Sequence, residues 1–228
     1  MNNLGQCEMF LRCLPALLLV LTTCICGFAL VRYDPISFEA SLLFWFRDNT
    51  NIAKLAGPAW MTPFWLSLSW LGNTLPRTVV SLCTVLGLIV LRRWQAALFL
   101  SWVLLSGLAF SITLKHWIER PRPQWVPQLD DVITMGFPSG HALNSTLFYL
   151  TVATMFAPLL RRQGTRWALY TMAICLSLAT GVSRIALGVH YPTDVIAGWV
   201  IAGAWVWLWS NTARQYWPMV WSNPSIRS

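Results

Sequence analysis

The stretch WQAALFLSWVLLSGLAFSITLKHWIERPRP, Trp94 to Pro123, decides how this chain is read. From Trp94 to Leu114 it carries no charged residue, which matches the roughly 20 apolar residues that a membrane-crossing helix needs. Lys115, His116, Glu119, Arg120 and Arg122 then follow almost without a gap. Ionisable groups at the end of an apolar span are costly, so they are candidates for function.

Further uncharged runs lie on either side, at Cys13–Val31, Leu55–Pro76, Thr78–Leu91, Ala142–Leu160, Trp167–Ser183 and Val195–Ala213. The composition agrees. Of 228 residues 56% are hydrophobic, 11% are charged and 15 are tryptophan, whereas soluble domains carry about 25% charged residues. The net charge of +8 sits mostly between apolar runs, which points to basic loops at a membrane rather than to nucleic acid. Cys13–Val31 reads as a retained span, because its apolar core is long for a signal peptide and no small-residue cleavage site follows it. Leu55–Pro76 is interrupted by Pro58 and Pro63. It reads with the preceding residues, 38–70, as short amphipathic helices at the interface. Thr78–Leu91 is short, but Arg77 and Arg92 can snorkel from its ends. The six cysteines include no CxxC pair and read as apolar packing.

The expected fold is therefore an all-α integral membrane protein. Six transmembrane helices form a bundle, extra interfacial helices lie in the first outer loop, and residues 1–228 make one membrane-embedded domain. Six spans put both termini on one side. Arg92, Arg93, Arg161, Arg162 and Arg166 fall on that side with Arg12, Arg214 and Arg227, so the positive-inside tendency makes it cytoplasmic.

In this threading three polar segments meet at the outer face: 115–123 (KHWIERPRP), 138–141 (PSGH) and 183–194 (SRIALGVHYPTD). Lys115, Arg122 and Arg184 supply three cations, two of them with the planar fork that fits phosphate oxygens. Ser139 suits a helix N-cap and Gly140 eases the turn. The helix start adds free N–H groups, and Ser139 Oγ can donate one more bond. His190 sits four residues before Asp194. A carboxylate on one ring nitrogen leaves the other free to attack phosphorus, and His141 can protonate the leaving oxygen. This chemistry requires no metal or cofactor, and no carboxylate cluster is present to hold one.

Lys115-x6-Arg122-Pro123, then Pro138-Ser139-Gly140-His141, then Ser183-Arg184-x5-His190-x3-Asp194 closely resembles the three-part signature of the type-2 phosphatidic acid phosphatase superfamily, in its bacterial membrane lipid phosphatase branch. The resemblance implies a six-helix bundle with the site at the outer, periplasmic face of the bacterial inner membrane. It implies His190 as nucleophile, Asp194 as its activating partner, His141 as general acid, and Lys115, Arg122, Ser139, Gly140 and Arg184 as the phosphate cradle. Arg120 lies outside the signature and reads as an interfacial anchor in preference to a guide for anionic head groups.

The expected activity is a metal-independent lipid phosphate or diphosphate phosphatase working through a phosphohistidine, with bilayer lipids around it. The first choice of substrate is undecaprenyl diphosphate, since such enzymes are widespread in bacteria. Phosphatidylglycerophosphate, phosphatidic acid, lipid A phosphates and transfer of phosphate to another lipid stay open. An anion transporter would use the same cations. However, the chain shows no repeated halves, and a pore has no use for the His190–Asp194 pair.

Overall fold

The computed structural model describes residues 3–32 and 37–221, without the side chains before Met9 or that of Phe10. Arg227 and the side chain of Cys7 thus lie outside the described residues. Eight α-helices occur among them: α1 (Asn3–Arg32), α2 (Ser37–Trp45), α3 (Met61–Leu71), α4 (Thr74–Val90), α5 (Trp94–Ile118), α6 (Gly140–Phe156), α7 (Gln163–Ala186) and α8 (Pro192–Tyr216). The described residues form no β-strand beyond one isolated bridge, Arg47 with Leu55.

Four helical stretches are long and apolar enough to cross a membrane: Leu11–Arg32, Trp94–Ile118, Gly140–Leu159 and Gln163–Ala186. The third of these includes a 3-10 turn at Ala157–Leu159 after α6, so the apolar run continues past the α-helical geometry. A fifth candidate is the pair α3 and α4, bent by 41° at a short break. Helix α4 begins ahead of the uncharged run Thr78–Leu91. Pro76 does not end a helix but lies in the first turn of α4, where its missing N–H is an orphan in any case. The break falls instead at Gly72 and Asn73.

Helix α6 is the hub. It packs most extensively on α8 and α7, then on α5, while α1 lies along α8, α3 along α7 and α4 along α5. Accordingly 61% of the apolar window containing α6 is buried, against 11% of that in α1, whose side chains present Leu17, Leu21 and Ile25 outward. The main core joins Leu100 and Val103 of α5, Leu143 and Leu147 of α6, and Ile201 and Val206 of α8. A second cluster of Leu43, Val126, Ala142, Ile185, Tyr191 and Val195 ties α2, the loop after α5, α6, α7 and α8 together at one end of the bundle. Each cysteine whose side chain is described is unpaired, with Cys26, Cys83 and Cys175 exposed on their helices.

Two glycine-scale details set the α6–α8 distance. A Cβ on Gly198 would lie 2.9 Å from the Ser139 carbonyl oxygen and 3.0 Å from the Ala142 Cβ. Only a residue without a side chain lets α8 pass this close to the first turn of α6. The Ser139 N–H donates to the Asp194 carbonyl at 3.0 Å, so the starts of α6 and α8 are locked to each other.

Candidate active site

All three signature segments converge at this end. Helix α5 ends after Lys115, with Glu119 left-handed at its C-cap (φ 50°). The turn sends the chain back over the bundle as an extended loop, and the Gly136 N–H returns to the Arg120 carbonyl at 2.8 Å. Lys115 Nζ donates to the Met135 carbonyl at 2.6 Å. Arg122 Nε donates to the Thr134 carbonyl at 2.6 Å, and one of its terminal nitrogens reaches the Val189 carbonyl at 2.6 Å and His190 Nε2 at 3.3 Å. A guanidinium can only donate, so Nε2 of His190 carries the lone pair and Nδ1 the proton.

His190 is buried, 1% exposed. Burial pushes its pKa well below the usual imidazole value, and Arg122, Lys115 and Arg184 push it the same way. Arg122 is itself lowered to about 10 by burial and by Arg184, which leaves it charged at neutral pH. A neutral imidazole with its lone pair among cations is able to attack an anionic electrophile.

The expected carboxylate partner is present but shared. His190 Nδ1 lies 3.5 Å from Asp194 Oδ2, too far for a good hydrogen bond. Asp194 Oδ2 accepts from the Tyr191 N–H at 3.0 Å, capping the first turn of α8, and Oδ1 accepts from Arg120 at 2.5 Å. Arg120 therefore corrects the sequence reading. It is not an interfacial anchor and does not reach head groups, because it is 2% exposed. Its guanidinium lies over the Tyr191 ring at 4.4 Å. It bonds Asp194, Thr193 Oγ1 at 2.7 Å, and both oxygens of Glu39 at 3.0 and 3.2 Å. A buried cation needs such partners to offset desolvation, and α2 exists at this end to bring Glu39.

Ser139 is the N-cap residue of α6, yet its side chain makes no capping bond. Its Oγ is buried without a partner among the described residues, so the hydroxyl is left to bind something else. A Cβ on Gly140 would meet only Asn144 Nδ2 and Lys115 Cε, at 3.8 and 3.9 Å, which puts the backbone of this turn beside the Lys115 stem. His141 Nε2 donates to Asn73 Oδ1 at 2.7 Å, across from the α3–α4 break. Arg184, 1% exposed, donates to Ser69 Oγ at 2.5 Å and is ion-paired with Asp130.

Sequence reasoning thus missed Glu39, Ser69, Asn73, Asp130 and Thr193. Glu39 alone carried a signal, as a single carboxylate inside the apolar run SFEASLLFW. The arrangement offers a buried imidazole lone pair, three cations, a free hydroxyl, helix N–H groups and a second imidazole within one end of the bundle. Its chemistry suits in-line attack on a phosphoryl group whose equatorial oxygens need positive charge.

A sequence model of the PAP2 superfamily matches residues 95–217. Phosphatidylglycerophosphatase B of Bacillus subtilis is 36% identical over 88 residues, 37% of this chain and 42% of that protein. Lipid A 1-phosphatase of Rhizobium etli is 32% identical over 119 residues, 48% and 47% of the two chains. Undecaprenyl-diphosphatase of Sulfolobus acidocaldarius is 34% identical over 70 residues, 31% and 29%. The chain thus spans less than half the length of these curated relatives. The crystal structure of a transmembrane PAP2-type phosphatidylglycerolphosphate phosphatase from Bacillus subtilis superposes with a TM-score of 0.74 at 22% identity, covering 90% of this chain and 96% of that one. At this identity the likeness concerns the fold.

Proposed function

This chain belongs to the PAP2 superfamily, and from that premise we propose that it is a lipid phosphate phosphatase acting through a phosphohistidine, with one catalytic domain made of residues 1–228. His190 Nε2 attacks phosphorus while Arg122, Lys115 and Arg184, the Ser139 hydroxyl and the Gly140 turn hold the phosphoryl oxygens. Asp194, held by Arg120, favours the Nδ1–H form of His190 and the cation that forms as the N–P bond is made. His141 passes its Nε2 proton from Asn73 to the leaving oxygen. Water then attacks the phosphohistidine and releases phosphate.

The observation that carries this reading is the contact of His190 Nε2 with Arg122 at 3.3 Å. It sets the lone pair of a buried imidazole against a guanidinium fork of the kind that binds phosphate oxygens. Undecaprenyl diphosphate remains the first choice of substrate, with phosphatidylglycerophosphate next. Helices α1, α4, α5, α6, α7 and α8 are the six spans of this reading, in a bacterial inner membrane with both termini cytoplasmic and the site at the outer face.

Purified protein in detergent should release phosphate in EDTA from at least one of undecaprenyl diphosphate, phosphatidylglycerophosphate, phosphatidic acid and lipid A. His190→Ala should abolish that release while the protein elutes and melts like the parent. Retained turnover in a folded His190→Ala protein would sink the mechanism.

A further inference from the structure

Arg77 stands outside the three signature segments and is absent from the scheme above. Read from sequence, it is a snorkelling end-residue of α4, and such residues turn toward water. In the structure it turns inward. It is half-buried, and one terminal nitrogen donates to the Gly72 carbonyl at 2.8 Å. Gly72 itself packs on the second imidazole: a Cβ there would lie 2.9 Å from His141 Cδ2 and 3.1 Å from Ser145 Oγ. Arg77 thus lies near His141, with Gly72 between them.

Three further features make this place a site. Arg77 is in none of the ion pairs among the described residues, and α4 has no acidic residue in its first turn to offset the cation. Ser145 is 1% exposed, and its Oγ has no partner among the described residues. Both side chains line a cavity of about 340 Å³ whose other walls are mainly apolar, among them Trp70, Leu75 and Phe148, with Tyr149 beside Arg77. Arg77 also lines a second cavity of about 210 Å³, where Leu82, Val85 and Leu104 stand beside Ser81, Ser101 and Asn144. A cation outside any ion pair and an unused hydroxyl in the wall of a largely apolar cavity suit an anionic group that is attached to hydrocarbon.

We propose that Arg77, with Ser145, binds a second phosphate on the lipid side of the scissile one, and so selects lipids that carry two phosphates in series. This rests on the phosphatase reading above and names its substrate class. The bond broken lies between the phosphorus attacked by His190 and an oxygen beside His141. What continues past His141 is then a second phosphate in a prenyl diphosphate, and a glycerol-linked phosphodiester in phosphatidylglycerophosphate. In phosphatidic acid it is only an alkoxide with its acyl chains.

The test compares kcat/KM of wild type and Arg77→Gln on farnesyl diphosphate, phosphatidylglycerophosphate and phosphatidic acid in one detergent. Loss of a charge-assisted contact should cut turnover of at least one two-phosphate lipid roughly 10-fold more than that of phosphatidic acid. The arm that falls tells whether the second phosphate is directly bonded or separated by glycerol. An unchanged ratio, whether all three fall together or none does, overturns the proposal. In wild type, which needs no folded variant, methylenebisphosphonate should inhibit about 10-fold more tightly than methylphosphonate. Equal inhibition overturns it as well. Wild type inactive on every lipid phosphate would instead sink the phosphatase reading itself.

Discussion

At the scale of the residue, His190 shows how surroundings choose a protonation state. Burial and the cations of Arg122, Lys115 and Arg184 all disfavour a charged ring, so its pKa is depressed. For a base with a depressed pKa, the neutral form is present above that lowered value and is lost only when the pH falls below it. The acid limb of kcat/KM, which reports free-enzyme groups, should therefore lie below 6.5, the ordinary imidazole value. An acid limb at or above 6.5 in the active protein would contradict the assignment. Arg120 makes the complementary point. One cation between Glu39 and Asp194 serves two buried carboxylates, and removing it would deprive both of their guanidinium in the interior.

Among the elements, α6 and α8 matter most, because their first turns carry His141 and Asp194 and sit one behind the other. Gly198 makes this stacking possible. Gly198→Val would drive a side chain into the Ser139 carbonyl and the Leu143 N–H, which are backbone atoms and cannot swing aside. We expect a loss of roughly 1–3 kcal/mol, typical of overpacking, seen as a lower melting temperature in detergent. Phosphate release should fall with it. An unchanged melting temperature would mean that the two helices are farther apart than described. Helices α2 and α3 are short, yet each delivers a polar group to the site: Glu39 from the first and Ser69 from the second.

At the scale of the whole molecule, the polar residues gather at one end of a bundle that is otherwise greasy outside. Leu86, Val90, Leu105 and Trp207 are all exposed on helix surfaces, as expected where lipid is the solvent. Under the proposed six-span threading a reporter fused to the C-terminus should read cytoplasmic, and an external reading would break that threading. Much of this was legible in the chain. Uncharged runs foretold the helices, since each must satisfy its own backbone in hydrocarbon. The spacing of Lys115, Arg122, His141, Arg184, His190 and Asp194 foretold which residues meet, and the structure brings them to one end. Counter-ions were not legible. Glu39 lies 81 positions from Arg120, Asp130 lies 54 from Arg184, and Asn73 lies 68 from His141. The sequence by itself determined the apolar helices and the residue types that phosphoryl chemistry needs, because both follow from composition and short-range spacing. Only the tertiary structure decided that Arg120 is a buried brace rather than an anchor, and that Arg77 faces inward. A charge is settled by which distant group the packing sets beside it, and no local pattern encodes that.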